Sequence, residues 1–223
     1  MKTYGILMSS LMIVAYSEQL KTETRRTRGL DIVNRAPDRW KFVGFNDSGI
    51  ATFQEVGIVG DTPTFVHYRM PYGRVGDTLW FKETYAVMCR EADFGYCSCE
   101  TEEDEKRNHY IEYRADTGNP YPGDWPEEEA KGNPDAPKWK SSMFMKHEYS
   151  RFKNIPILDV KIERLQDISE ADAWNEGCPR DEARLPTEWY FDLWDQLNGD
   201  KLPAHVNPWV WVYKFPKYEG SKA

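Results

Sequence analysis

Cysteine is scarce. Cys89, Cys97, Cys99 and Cys178 are the only four in 223 residues, too few and too unevenly spaced for the disulfide framework of a small secreted domain. No apolar run reaches the roughly 18 residues that cross a bilayer. The longest, Gly5 to Tyr16, is interrupted by Ser9 and Ser10 and lacks the basic start and small-residue cleavage site of a signal peptide. A cytoplasmic location and no membrane partner are therefore expected. Excess positive charge is missing too: 29 Lys and Arg against 37 Asp and Glu leave −8, which excludes a protein that coats nucleic acid by wholesale phosphate neutralisation. Gly-x-Ser-x-Gly, Gly-x-x-x-x-Gly-Lys and Gly-x-Gly-x-x-Gly are absent, so the serine-hydrolase elbow, the P-loop and the dinucleotide fingerprint are set aside. No repeat of fixed period and no low-complexity tract occurs.

What is present suits a globular chain. Forty per cent hydrophobic residues, with nine Trp and thirteen Tyr, bury a sizeable interior, and the length fits one domain, residues 1–223, with insertions at about 27–70 and 89–142. Charge is uneven: Lys21, Arg25, Arg26, Arg28, Arg35, Arg39 and Lys41 cluster early, whereas acidic residues gather at Glu100, Glu102 to Glu105 and Asp124 to Glu129. The acidic runs read as solvated surface. Cys89, Cys97 and Cys99 with His109 or Cys178 offer four zinc ligands by type, but the one-residue gap between Cys97 and Cys99 is not knuckle spacing; free thiols, no metal and no cofactor are the expectation.

Periodicity gives the elements. Gly5 to Met8 reads as a strand, and Ser9 caps a helix that ends near Leu20. Lys21 to Arg26 reads as extended chain. Ile50 to Val56 and Thr64 to Tyr68 read as strands of a hairpin elaboration, with turns at Asn46 to Gly49 and at Gly60-Asp61. Thr78 to Thr84 follows a Gly76-Asp77 turn, with Trp80 and Phe81 on opposite faces. After a possible strand at Tyr110 to Arg114, Pro and Gly break up a surface insertion anchored by Trp125 and Trp139, a candidate lid. Ile155 to Leu165 reads as one strand, Ser169 as a helix cap with Gly177 as its stop, Thr187 to Leu197 as a helix, and Trp209 to Phe215 as the strand that closes a barrel. The fold class expected is α+β, a small mixed β-barrel flanked by short helices.

Four segments, in order, resemble the ASCH domain of the PUA-like superfamily: Lys21-Thr22-Glu23-Thr24-Arg25-Arg26, Gly76-Asp77-Thr78-Leu79-Trp80, Leu165 to Glu170 leading to Glu176-Gly177, and Trp209 to Phe215. The long insertions and the Asn207-Pro208-Trp209-Val210-Trp211 ending resemble forms common in bacteriophages and prophages. The resemblance covers less than half of the chain. It implies a small barrel with a positively lined cleft for RNA or nucleotides; small bacterial members hydrolyse the amide of N4-acetylcytidine, and another is a ribonuclease, so fold alone does not fix the reaction.

By the same resemblance Thr24 is the nucleophile, Lys21 the proton acceptor and Glu176 the proton donor. The chemistry is coherent, since a Thr hydroxyl needs a base and a Lys serves as one only when burial or neighbouring Arg lowers its pKa. Residues three apart in an ideal strand face opposite ways, so the motif must sit at a bend. Bland readings stand beside these: Lys21 on a helix C-terminus, Thr24 as a strand residue, Glu176 solvated beside a capping Gly. Arg25 and Arg26 are candidate phosphate or base contacts, and Trp80 and Glu83 candidate pocket residues. The function expected is amide hydrolysis on a modified nucleoside; the alternative is a non-catalytic module holding a nucleotide or single-stranded RNA. A ribonuclease ranks lowest, because among His67, His109, His147 and His205 only His205 lies within a resembling segment.

Overall fold

The computed structural model describes residues 1–56, 63–90, 109–133 and 136–220. The Gly60-Asp61 turn, Cys97, Cys99 and the acidic run from Glu100 to Glu105 lie outside the described residues. In chain order the strands are β1 (Thr3–Leu7), β2 (Glu23–Arg26), β3 (Trp40–Phe45), β4 (Ile50–Glu55), β5 (Phe65–Arg69), β6 (Thr78–Lys82), β7 (Tyr85–Cys89), β8 (His109–Tyr113), β9 (Ile155–Pro156), β10 (Asp159–Arg164) and β11 (Trp209–Lys214). The helices are α1 (Ser10–Ser17), α2 (Asp31–Asn34), α3 (Arg114–Thr117), α4 (Glu127–Ala130), α5 (Glu170–Asn175) and α6 (Pro186–Asn198). Among the described residues no helix is long and apolar enough to cross a membrane.

The class is mixed α+β, as expected, but the described strands form several separate sheets and do not close into a barrel. β11 was expected to close one; it is instead the middle strand of three, between β10 and β2. The chain divides into two compact units, one of Met1–Tyr4, Ala15–Leu79 and Asn154–Ala223, the other of Gly5–Val14 and Trp80–Lys153.

In the first unit the β10-β11-β2 sheet is antiparallel, with Glu163 opposite Val210, Lys161 opposite Val212, Val212 opposite Arg25 and Tyr213 opposite Thr24. Strand alternation then sorts the side chains into two faces. Val160, Ile162, Trp211, Tyr213 and Thr24 share one face, and all five are buried. Glu23, Arg25, Lys161, Glu163 and Lys214 share the other. The 27–70 segment adds an antiparallel β3-β4-β5 meander with a bulge between Phe42 and Gly44. Phe53, fully buried, packs edge-on to Trp209 at 5.1 Å, and buried Asn34 of α2 bonds both the N–H and the C=O of Trp209, which fixes where β11 begins.

Ile155 to Leu165 is two strands rather than one. Pro156 has no N–H to donate, and the next two amides serve different partners: Ile157 donates to Asp77 and Leu158 to Lys214. The chain leaves β6 for β11 at that point. Similarly, α1 stops at Ser17 rather than near Leu20, because Gln19 adopts a left-handed φ of 62° and both Leu20 and Lys21 donate to the Ala15 carbonyl. Ser9 and Ser169 cap their helices as read from the sequence.

The second unit contains the β7-β8 hairpin, in which Cys89 pairs directly with His109. Phe81 is fully buried whereas Trp80 is partly exposed, in line with opposite faces. Trp139 donates to the Asn119 carbonyl at 3.0 Å.

Candidate functional site

The charged face of the β10-β11-β2 sheet carries the site. The bend after α1 sends the chain from Lys21 into β2, and Thr22 donates to the Asn175 carbonyl at 2.8 Å, tying that entrance to the end of α5. Glu176, the residue after α5, forms an antiparallel bridge with Lys21. Their side chains meet as well: Lys21 Nζ donates to Glu176 Oε2 at 2.6 Å and to the Glu176 carbonyl at 2.9 Å. Lys21 is wholly buried and Glu176 is 2% exposed. Gly177, at φ 103°, lets the chain turn there; a Cβ on it would lie 2.7 Å from Ala15 Cβ and 3.5 Å from Lys21 Cβ.

Arg25, four residues on from Lys21 and on the same face, is 2% exposed and spreads its donors over three carboxylates. Nη1 reaches Glu176 at 3.0 Å and Glu23 at 3.1 Å, while Nε and Nη2 reach Glu163 at 2.9 and 2.7 Å. Its guanidinium also lies 5.6 Å from the Tyr190 ring of α6. Lys161 pairs with Glu163 at 2.7 Å and with Asp172 at 3.4 Å; Lys214 approaches Asp172 at 3.4 Å and Glu23 at 3.2 Å. Cations and carboxylates therefore balance: Lys21, Arg25, Lys161 and Lys214 against Glu23, Glu163, Asp172 and Glu176. Such pairing is what makes a buried charge tolerable. Lys214 lies off the direction of a hydrogen bond to Glu23 Oε2, which has no hydrogen-bond partner.

Burial governs the proton affinities. Desolvation lowers the Lys21 pKa, and the charges of Arg26 and Arg25 add to that, against the opposing pull of Glu176. Desolvation raises the Glu23 carboxyl, with Arg25 working the other way. At Asp172 the desolvation that would raise the pKa is outweighed by Lys161, Lys214 and Arg25, which hold it at about 2 against an ordinary 3.8. A depressed carboxylate contributes stability above its unfolded pKa and loses it as pH falls through the folded value. We expect Asp172 to supply about 2 kcal/mol at pH 7, lost between about pH 4 and pH 2 in the native chain, and Asp172→Asn to flatten that limb in urea denaturation followed across this range.

The structure brings Lys21, Arg25 and Glu176 together and places Thr24 otherwise. Thr24 lies on the opposite strand face beside Tyr213, fully buried, and its hydroxyl has no hydrogen-bond partner. Arg26 donates to the Arg25 carbonyl at 2.8 Å. Trp80 and Glu83 belong to the second unit. There Lys82 Nζ lies 5.4 Å from the Trp80 ring, and Glu83 is fully buried with both oxygens held by Arg151 at 3.0 and 2.9 Å. Arg151 continues to both Asp116 oxygens and stacks 4.3 Å from the Tyr113 ring. Glu83 is thus a buried brace, its pKa raised by desolvation against the pull of Arg151.

Glu23, Lys161, Glu163, Asp172, Tyr190 and Lys214 were not singled out in the sequence. The alternation Lys21-x-Glu23-x-Arg25 carried a signal, since period-two charges on a strand share a face. Among the described residues no group of three or more His, Cys, Asp or Glu side chains suits a metal ion. Cys178 is buried, and burial raises its thiol pKa.

Comparison with family models, with curated proteins and with solved structures finds no match for this chain. No family is shown.

Proposed function

We propose that the chain is an ASCH-type, PUA-like protein that hydrolyses the amide of an N-acylated nucleoside of the N4-acetylcytidine kind. The observation that carries the reading is the 2.6 Å contact between Lys21 and Glu176, 155 residues apart in sequence and wholly enclosed. The resemblance implies roles for both residues in one reaction. Burial favours the neutral Lys21 amine that a proton acceptor requires. In this reading the Thr24 oxygen attacks the acyl carbonyl and its proton passes to Lys21. Glu176 takes up that proton from Lys21 across their 2.6 Å contact and delivers it to the leaving nitrogen, releasing the base, and water then hydrolyses the threonyl ester. The Thr24 hydroxyl, having no partner of its own, must meet Lys21 when substrate binds. Arg25 acts through Glu176 and is a positioning residue.

The second reading, a non-catalytic module for a nucleotide or single-stranded RNA, draws support from the strand geometry, which turns Thr24 away from the charged face. Thr24→Val separates the two. The swap preserves shape and removes a buried hydroxyl that has no hydrogen bond, so thermal stability should stay level or rise by about 1 kcal/mol. Under the hydrolytic reading, release of cytidine from N4-acetylcytidine, followed by chromatography, falls at least 100-fold in this variant. No release by the native chain at high protein concentration, with nucleotide binding retained, assigns the module reading instead.

A further inference from the structure

A second feature of the first unit lies outside the Lys21 cluster. The turn at Ser48-Gly49, the end of β5, the Gly73-Arg74 turn and the start of the chain enclose a groove of about 510 Å³, a volume suited to a ligand of mononucleotide size. Three cations line it, Lys2, Arg69 and Arg74, and all three are exposed. Among the described residues none of these three side chains has a hydrogen bond or an ion pair. The carboxylate that lines the groove, Asp77, is already engaged: Oδ1 accepts from the Lys2 amide at 2.7 Å and Oδ2 from the Arg74 amide at 3.3 Å. On a chain of net charge −8, three cations against one carboxylate leave a local excess of positive charge.

The groove also offers an aromatic wall. Gly73, at φ 86°, lets the Tyr4 ring lie against the backbone, where an added Cβ would come within 2.6 Å of it. Tyr4 is partly exposed and lines the groove. The preceding residue, Tyr72, donates its amide to the Tyr213 hydroxyl at 3.2 Å, and Tyr213 is the cross-strand partner of Thr24. The groove therefore sits on the Thr24 side of the β10-β11-β2 sheet, away from the neutralised charge cluster.

We infer that this groove binds the phosphate of a nucleotide, free or within single-stranded RNA, with Arg69, Arg74 and Lys2 holding the phosphate and Tyr4 offering a ring for stacking. Guanidinium forks suit phosphate oxygens, and base stacking on an aromatic tolerates any sequence. The inference goes beyond hydrolysis: the Thr24→Val protein retains the groove and its binding whether or not the chain turns over N4-acetylcytidine.

The test uses the full chain, cytidine 5′-monophosphate in calorimetry and a fluorescein-labelled ten-nucleotide oligocytidylate RNA in anisotropy. Two variants of equal charge loss are compared, Arg69→Ser with Arg74→Ser, and Lys138→Ser with Lys217→Ser, each checked for an unchanged melting temperature. The expected result is binding by the native chain that weakens at least tenfold in the groove variant and less than threefold in the control. Binding of the mononucleotide identifies a free-nucleotide site. Binding of the RNA alone identifies a backbone contact, with a weaker salt dependence once the arginines are gone. Binding of neither probe, or equal loss in both variants, overturns the inference.

Discussion

Replacing Arg25 with Met should destabilise the protein by about 3–5 kcal/mol, the usual consequence of removing one partner from a buried ion pair. The size follows from what the guanidinium leaves behind. Glu176, Glu163 and Glu23 all bond to it, and the Glu23 side chain is wholly buried with its own pKa already raised by desolvation. Met fills much of the volume, so lost packing is a small part of the effect and stranded charge the larger. A second substitution separates the two: Glu23→Leu in the Arg25→Met background removes one orphaned carboxylate and should recover part of the loss, a positive coupling readable from urea midpoints in a double-mutant cycle. Additive losses would mean that packing rather than charge sets the cost.

Gly177→Ala should cost about 2–6 kcal/mol, from two sources that the backbone makes separable. Its φ of 103° is strained for any L side chain, worth about 1–3 kcal/mol, and the added Cβ meets Ala15 Cβ at 2.7 Å, an overpacking of about 1–3 kcal/mol. Gly76 serves as the control. Its φ of 93° is similar, but a Cβ there meets nothing within 4 Å, so Gly76→Ala carries the conformational part alone and should shift the melting temperature less. Because Ala15, which the added Cβ would displace, accepts the Lys21 amide, Gly177→Ala should depress turnover beyond its effect on the folded fraction, whereas Gly76→Ala should not.

How much of this was legible in the sequence depends on how local the physics is. Ser9 and Ser169 read correctly as caps because the hydroxyl and the amide it serves lie three residues apart. The β11 strand and the 27–70 hairpin elaboration were readable from aromatic and β-branched runs between turns. The division of Ile155 to Leu165 was not, although Pro156 marks it, because the change of partner depends on where β6 and β11 lie. Barrel closure was an expectation about strand pairing, which no local pattern encodes.

The site shows the same divide. Lys21, Arg25 and Glu176 were singled out, yet the cluster that neutralises them comes from β10, α5 and β11, brought together only by register and helix docking. Glu83 likewise gave no sign of burial, since its partner Arg151 lies 68 residues away. The bend demanded by Lys21 and Thr24 exists, at Gln19, but it precedes the motif, and strand alternation resumes early enough to turn Thr24 to the other face.

The account turns on Lys21 being a buried amine that gives up its proton more readily than an ordinary lysine. The direct measurement is the pH titration of the Lys21 side-chain Cε signal by NMR in 13C-lysine-labelled protein, assigned by its absence from Lys21→Met. The expected midpoint lies below the ordinary 10.5. Stability should rise with pH between that midpoint and 10.5, because the unfolded chain then binds the extra proton. A midpoint at or above 10.5 would show that Glu176 holds Lys21 as a permanent cation, and would contradict its role as the proton acceptor.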